Sequence, residues 1–284
     1  MADDRQADLE LALRATGRAA AVVMEWFRTD LDVRHKEPGQ PVTAADLTAD
    51  RMLREDLAGA RPDYGWLSEE TADGPDRLAR SRVWVVDPVD GTRSFVEGEP
   101  EFALSVGLSE DGAVVVGVVC NPAAGKLYWA VRGGGAYVAE LAHGAPRNQR
   151  RLAVPVAVRR PLTLLASRHE VADGELRPFL ERGWRLAPTG STAYKLARLA
   201  AGDGDVFLSR GPKSEWDVCA GALLVQEAGG SVSDLRGEPF RYNRRDPAVY
   251  GVLATAAGLH AEVLAVVAAL PETARMAQLA RPRG

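Results

Sequence analysis

Four short segments of the chain hold residues whose types and spacing could do chemistry. The richest is Val85-Val86-Asp87-Pro88-Val89-Asp90-Gly91-Thr92. An apolar run delivers Asp87 at its carboxyl end, Pro88 fixes φ and turns the backbone, and Asp90 follows three residues on. Both carboxylates can then converge on one point, with the Val89 carbonyl exposed between them. An all-oxygen ligand set of this kind suits a hard cation such as Mg²⁺. If Gly91-Thr92 opens a helix, its free N–H groups and dipole favour a phosphate. Taken alone, the same residues read equally well as an Asp-Gly turn behind a buried strand. The other three segments are weaker alone. Glu69-Glu70 ends a short apolar run and reads as a solvated loop. Asp217, in Trp216-Asp217-Val218-Cys219-Ala220-Gly221, reads as an N-cap. Asp46, in Thr43-Ala44-Ala45-Asp46, complements a helix dipole.

The elements that must position these acids follow from periodicity. Residues 8–28 and 43–57 predict helices, the second capped by Thr43 with Asp46 in its first turn. Between them, residues 35–41 read as a polar loop. Residues 66–68 and 83–86 predict strands ending at Glu69 and Asp87. Residues 102–108 and 113–120 predict a hairpin across Glu110-Asp111-Gly112, and 126–130 with 136–138 a second pair around Arg132-Gly133-Gly134-Gly135. The arginine-rich stretch 147–160 reads as the crossing between an N-terminal α+β half, 1–152, and a C-terminal α/β half, 153–284. Beyond it, strands are expected at 162–167, 205–208, 231–234 and 252–255. Helices are expected at 175–182, 192–201, 218–228 and 260–270, and a tail at 271–284. Strands alternating with helices make the class α/β.

Composition narrows the function. The chain has 284 residues, 46% hydrophobic and 26% charged, with a formal net charge of −4. That excludes a disordered or fibrous chain, and it argues against non-specific nucleic-acid binding, which needs a basic excess. No apolar stretch is long enough for a membrane span, and Met1-Ala2-Asp3-Asp4-Arg5 does not open a signal peptide. Cys120 and Cys219 form no metal-like spacing, and buried thiols in a reducing cytoplasm are expected. Four histidines without an HExxH exclude a zincin.

In their order along the chain, Asp46, Glu69-Glu70, Asp87-Pro88-Val89-Asp90-Gly91-Thr92 and Trp216-Asp217-Val218-Cys219-Ala220-Gly221 resemble the pattern of the inositol monophosphatase superfamily, lithium-sensitive Mg²⁺-dependent phosphomonoesterases. Arg132-Gly133-Gly134-Gly135-Ala136-Tyr137 resembles that family's glycine-rich hairpin, which argues against a nucleotide loop. The resemblance implies a layered αβαβα sandwich with the site between the halves. It implies hydrolysis of a small phosphate monoester by direct attack of water, inhibition by Li⁺, and a monomer or homodimer; the all-oxygen ligand set itself predicts inhibition by Ca²⁺. It assigns two or three Mg²⁺ ions to Glu69, Asp87, the Val89 carbonyl, Asp90 and Asp217. Thr92, with Glu69 and Asp46, would orient the water, and Gly91 and Thr92 N–H groups would hold the phosphate. Ser191 and Lys195, at the helix opened by Gly190-Ser191-Thr192, are substrate-contact candidates, with Arg168-His169 weaker ones.

Asp90-Gly91-Thr92-Arg93-Ser94-Phe95 is more similar to the CysQ-type 3′(2′),5′-bisphosphate nucleotidases than to inositol-type members, which typically continue Asp-Gly-Thr-x-Asn-Phe. Inositol-type relatives tend to carry an acid seven residues before the Trp-Asp aspartate, where this chain has Arg210. Arg93 and Arg210 would then suit a second anionic group. The resemblance thus implies adenosine 3′,5′-bisphosphate as substrate. Inositol 1-phosphate, fructose 1,6-bisphosphate and histidinol phosphate are the alternatives. A non-catalytic phosphate-binding relative should have lost one of the carboxylates or Thr92, and none is lost.

Overall fold

The computed structural model describes residues 2–30, 32–37, 40–155 and 160–270. Helix α1 (Ala2–Trp26) leads through an antiparallel pair, β1 (Arg34–Glu37) and β2 (Gln40–Val42), to α2 (Ala44–Ala60). Seven strands then form one sheet in chain order: β3 (Gly65–Ser68), β4 (Arg82–Asp90), β5 (Ala103–Glu110), β6 (Ala113–Asn121), β7 (Lys126–Val131), β8 (Gly135–Ala142) and β9 (Ala145–Arg151). β3 pairs parallel with β4, and the other pairs are antiparallel. Helix α3 (Thr92–Val96) links β4 to β5. A second sheet holds β10 (Thr163–Ala166), β11 (Arg185–Pro188), β12 (Val206–Ser214), β13 (Ser231–Ser233) and β14 (Ala248–Thr255), in the order β11-β10-β12-β14-β13. Its helices are α4 (Arg168–Ala172), α5 (Arg177–Glu181), α6 (Thr192–Ala200), α7 (Glu215–Glu227) and α8 (His260–Ala268).

The layers are αβαβα. Helices α1 and α2 cover one face of the seven-stranded sheet, and α6 and α7 fill the space between its other face and the second sheet. Helices α4, α5 and α8 pack against strands of the second sheet. β4 is therefore covered on both faces. Trp84 and Val86 join the apolar cluster under α1 and α2, while Val83 and Val85 join the one shared with α6 and α7. This explains a continuous apolar run where a half-exposed strand would alternate. Gly107 on β5 allows α7 to come close, since a Cβ there would lie 2.6 Å from the Cys219 Sγ. Both cysteines are buried and free, as expected. The division at 152/153 separates the two sheets along the chain, while α6 and α7 of the later part pack on the earlier part's sheet. Among the described residues no helix is long and apolar enough to cross a membrane.

Several expectations are corrected. Residues 34–42 contain the paired strands β1 and β2 rather than a plain loop. The crossing does not begin at 147, because β9 continues the first sheet to Arg151. β9 is almost wholly exposed and polar, so no apolar alternation marks it. β11 and α4 were not anticipated, β12 runs on to Ser214, and α7 begins at Glu215. The tail at 271–284 lies outside the described residues.

Candidate active site

The geometry begins with an irregularity in β4. Asp87 lies opposite Ser105 and Asp90 opposite Ala103, so three steps along β4 match two along β5. In a regular strand, residues three apart face opposite sides. The bulge at Pro88-Val89 absorbs the extra residue and re-aims the chain, and Asp87 and Asp90 line the same cavity. A proline is tolerated there because a bulge does not need its missing N–H. The expected turn after Asp87 is thus a bulge within a strand that continues to Asp90. Gly91 follows at φ 93°, in the left-handed region, and caps α3.

Asp46 and Asp217 arrive by one shared device. Each is the third residue of a helix, and each turns a carboxylate oxygen back to the capping residue's N–H. Thr43 N donates to Asp46 Oδ2 at 2.9 Å, and Ser214 N to Asp217 Oδ2 at 2.7 Å. Thr43 is therefore the N-cap, as expected, whereas α7 is capped by Ser214 rather than by Asp217. The other oxygen of Asp46 accepts from Thr92 Oγ1 at 2.9 Å, and that hydroxyl also lies 3.0 Å from the Val89 carbonyl. Glu69 is anchored at the end of β3, its N–H donating to Val86 O at 3.3 Å.

Glu69, Asp87 and Asp217 each bring one carboxylate oxygen within 4.8 Å of the other two. Asp87 is 1% exposed. Its Oδ1 accepts from Val89 N at 3.0 Å, but its Oδ2 is buried without a hydrogen-bond partner. Burial first, then the charges of Glu69, Asp90 and Asp217, push the Asp87 carboxyl well above its ordinary range. Burial and Asp90 push Asp217 up to about 7, and burial raises Asp46. Converging buried carboxylates repel one another and lose solvation, and a bound cation would remove both penalties. The all-oxygen donors and the orphaned Asp87 Oδ2 fit a hard divalent ion. Asp90 stands slightly apart. Its Oδ2 accepts from Ser191 Oγ and from Ala193 N, each at 2.6 Å, which ties β4 to the start of α6.

These acids form one side of a cavity of about 350 Å³. Gly91, Thr92, Arg93, Ser191 and Lys195 all line it, as do Arg168 and His169. Lys195 is 4% exposed, donates from Nζ to Thr189 O at 3.2 Å, and lies over the Phe207 ring. Burial, then Lys213, draws its ammonium pKa down to about 8. Arg93 meets His169 Nε2, and Arg168 pairs with Glu101.

Arg210 is not brought to this cavity. It lines a separate groove with Arg236, Arg241 and Arg244. Phe207, Ser209 and Lys213 of β12 line the acidic cavity, whereas Arg210 sits in a register shift between Ser209 and Pro212, where regular alternation is broken. The residues missed from sequence are Glu170, Ser209 and Lys213. No period-two count finds Lys213, because the register of β12 shifts between Ser209 and Pro212.

The inositol monophosphatase family matches residues 4–272 of the chain. At 37% identity over 245 residues, 82% of this chain and 87% of the relative, it is similar to the inositol-1-monophosphatase of Mesorhizobium japonicum. The chain belongs to the inositol monophosphatase family. It is 33% identical to the histidinol-phosphatase of Chlorobaculum parvum (81% of this chain, 86% of the relative) and 32% identical to the CysQ 3′(2′),5′-bisphosphate nucleotidase of Shigella flexneri (76% and 85%). Among solved structures, the extragenic suppressor protein suhB from Bartonella henselae superposes with a TM-score of 0.76 at 30% identity, covering 92% of this chain and 98% of that one. This is a family of metal-dependent phosphatases, and Glu69, Asp87 and Asp217 form an acidic cluster that could hold a metal ion.

Proposed function

We propose that the chain hydrolyses small phosphate monoesters, with Glu69, Asp87, the Val89 carbonyl, Asp90 and Asp217 holding two Mg²⁺ ions. The observation that carries this reading is the buried, unpartnered Asp87 Oδ2 beside the oxygens of Glu69 and Asp217. Bound cations supply positive charge at the attacking and leaving oxygens and make water more acidic. The chain's own groups do the rest. Thr92 Oγ1 has one proton and two acceptors within 3.0 Å. Giving the proton to Asp46 leaves the Val89 carbonyl free for a cation and turns a Thr92 lone pair toward the cavity. A water donating to that lone pair and to Glu69 is held in one orientation. Backbone N–H groups at Gly91 and Thr92, with the Lys195 ammonium, then bind the phosphoryl oxygens. Arg93, Arg168 and His169 line the same cavity.

Inositol 1-phosphate and adenosine 3′,5′-bisphosphate are the two substrates to separate. With Arg210 in another groove, the nucleotide reading loses one of its two arginines, and a small-alcohol phosphate is the better supported substrate. The nucleotide stands as a second reading because Lys213 and Arg93 line the cavity and could take a second phosphate. The test is phosphate release from both substrates, with histidinol phosphate and fructose 1,6-bisphosphate alongside. Activity should require Mg²⁺ and fall with Ca²⁺, whose longer, more numerous bonds misplace the water. Full turnover in excess chelator would overturn the metal assignment.

A further inference from the structure

Glu170 is a buried acid that the reaction above leaves without a task. It lies on α4, is 4% exposed, and lines the same cavity as the metal-site acids. Its Oε1 is 3.5 Å from Ser209 Oγ, at the limit of hydrogen bonding, and its Oε2 has no hydrogen-bond partner. The nearest cations do not serve it. Lys195, equally buried in the same wall, forms no ion pair with Glu170 and gives its Nζ to Thr189 O. Arg168 is engaged by Glu101. Arg210, at the register shift in β12, interacts with the Glu170 charge as Lys195 does, without lining this cavity.

A carboxylate withdrawn from water is costly unless donors replace the lost solvent. Here the protein offers one marginal donor, so the remaining lone pairs await groups on whatever fills the cavity. Lys195 and the Gly91-Thr92 backbone suit the phosphate end of a substrate, and Glu170 suits the opposite chemistry. A second phosphate near it would meet a like charge.

We propose that Glu170 sets the specificity of this site by accepting O–H or N–H donors from the alcohol part of the substrate. This rests on the phosphomonoesterase reading and narrows it to esters whose alcohol carries hydroxyl or ammonium groups. Inositol 1-phosphate represents the first kind and histidinol phosphate the second. A Gln at this position can still accept from a hydroxyl but offers an ammonium no charge, so the substitution separates the two.

The experiment measures kcat/KM of wild type, Glu170→Gln and Glu170→Asp on inositol 1-phosphate, histidinol phosphate, adenosine 3′,5′-bisphosphate and cyclohexyl phosphate, a ring ester without donors. A site built to bond a substrate hydroxyl or ammonium rejects the analogue lacking it by orders of magnitude. Wild type should therefore prefer inositol 1-phosphate or histidinol phosphate over cyclohexyl phosphate by about 10-fold or more, a result that needs no variant to fold. Glu170→Gln should lower kcat/KM on histidinol phosphate by about 10-fold or more, mostly through KM, and on inositol 1-phosphate by less. Cyclohexyl phosphate should stay within about twofold of wild type, and Glu170→Asp should recover part of the loss. A uniform fall on all four substrates, parity between the donor-bearing esters and cyclohexyl phosphate, or a wild-type preference for the bisphosphate overturns the proposal. Absence of phosphate release from every substrate overturns the phosphomonoesterase reading beneath it.

Discussion

The two sides of the cavity are built on different principles. The side from β3, β4 and the start of α7 is made of acids held by backbone hydrogen bonds, Val89 N on Asp87 and Ser214 N on Asp217, with Asp46 of α2 set behind it on Thr92. The side from α4, α6 and β12 is made of long side chains, Glu170, Lys195 and Lys213, with small hydroxyls between them. Backbone-anchored groups cannot relax from one another, so the acidic side keeps a negative field that calls for a cation. Side-chain groups can be exchanged without disturbing the frame, so the facing side can change the alcohol accepted while the phosphate chemistry stays the same. The two sides meet at one joint, where Asp90 holds Ser191 and the Ala193 N–H.

The strongest break of this contrast is on the acidic side. Asp87→Asn keeps the volume and the Val89 N–H contact but removes a charge the array was built around. Turnover should fall by roughly 10³-fold or more, about 4 kcal/mol of transition-state stabilisation. The same change relieves a carboxyl pushed well above its ordinary range, so the chelated variant should melt above chelated wild type. Kinetics and calorimetry together test it. A variant keeping a tenth of wild-type rate would remove Asp87 from the metal site.

On the facing side the expected loss is smaller. Lys195→Met preserves the packing over Phe207 and removes one charged donor. One charge-assisted hydrogen bond is worth about 1.5–3 kcal/mol, so kcat/KM at pH 7 should fall roughly 10- to 100-fold. The ammonium pKa is drawn down to about 8, so wild-type kcat/KM should decline as pH rises through that value. Lys195→Met should lack that limb, and Lys195→Arg should carry it to higher pH. A wild-type limb that persists in Lys195→Met would assign it to another group.

The acidic side was legible in the sequence and the facing side largely was not. Asp87 to Thr92 is contiguous, and Thr43-Ala44-Ala45-Asp46 is a capping box that predicts its own geometry. The bulge was not legible; Asp87 and Asp90 line one cavity, but the oxygens that cluster are those of Glu69, Asp87 and Asp217, with Asp90 turned to Ser191 and Ala193. Glu170, Ser209 and Lys213 come from two separated segments, and none is distinctive where it stands. Arg210 shows the cost of a strand end. Gly211-Pro212 marks a break in the pattern, whereas β12 passes through it with a register shift between Ser209 and Pro212. Arg210 lies within that shift, so neither counting back from Asp217 nor counting alternate residues along the strand places it. In the fold, the longer helices and the buried strands are legible through apolar periodicity, whereas the one-turn helix α4 is not. Nor are the exposed β9 and the short β11, since edge strands have little apolar surface to bury.

A smaller effect links the acidic side to stability. Asp87 and Asp217 have raised folded-state pKa values, Asp217 to about 7, against 3.8 as the ordinary value. Between those limits the folded chain binds more protons than the unfolded one, so these two groups make the chelated protein less stable as pH rises. Mg²⁺ needs the deprotonated carboxylates and therefore binds better over the same range. The melting-temperature gap between Mg²⁺-loaded and chelated protein should widen from pH 6 to pH 8 by about 2–5 °C. Other groups titrate alike in both samples and cancel in the gap. A gap that is constant or narrows with pH would mean that these carboxylates do not meet the ion.

The smallest expected effect is at Arg210, and it tests whether the fold or the count along the sequence decides who meets the substrate. Counting back seven residues from Asp217 places an arginine where a second phosphate could be held, whereas the fold turns that arginine into the groove with Arg236, Arg241 and Arg244. If the fold decides, Arg210→Glu should change the ratio of kcat/KM between adenosine 3′,5′-bisphosphate and inositol 1-phosphate by less than about twofold. The loss of one charge-assisted bond to a second phosphate would shift it roughly 10- to 100-fold. Lys213→Met is the matched control, because Lys213 is a cation of the same strand that does line the site. It should move that ratio more than Arg210→Glu does. A 10-fold shift in the ratio from Arg210→Glu alone would place the arginine in the substrate site despite its place in the groove.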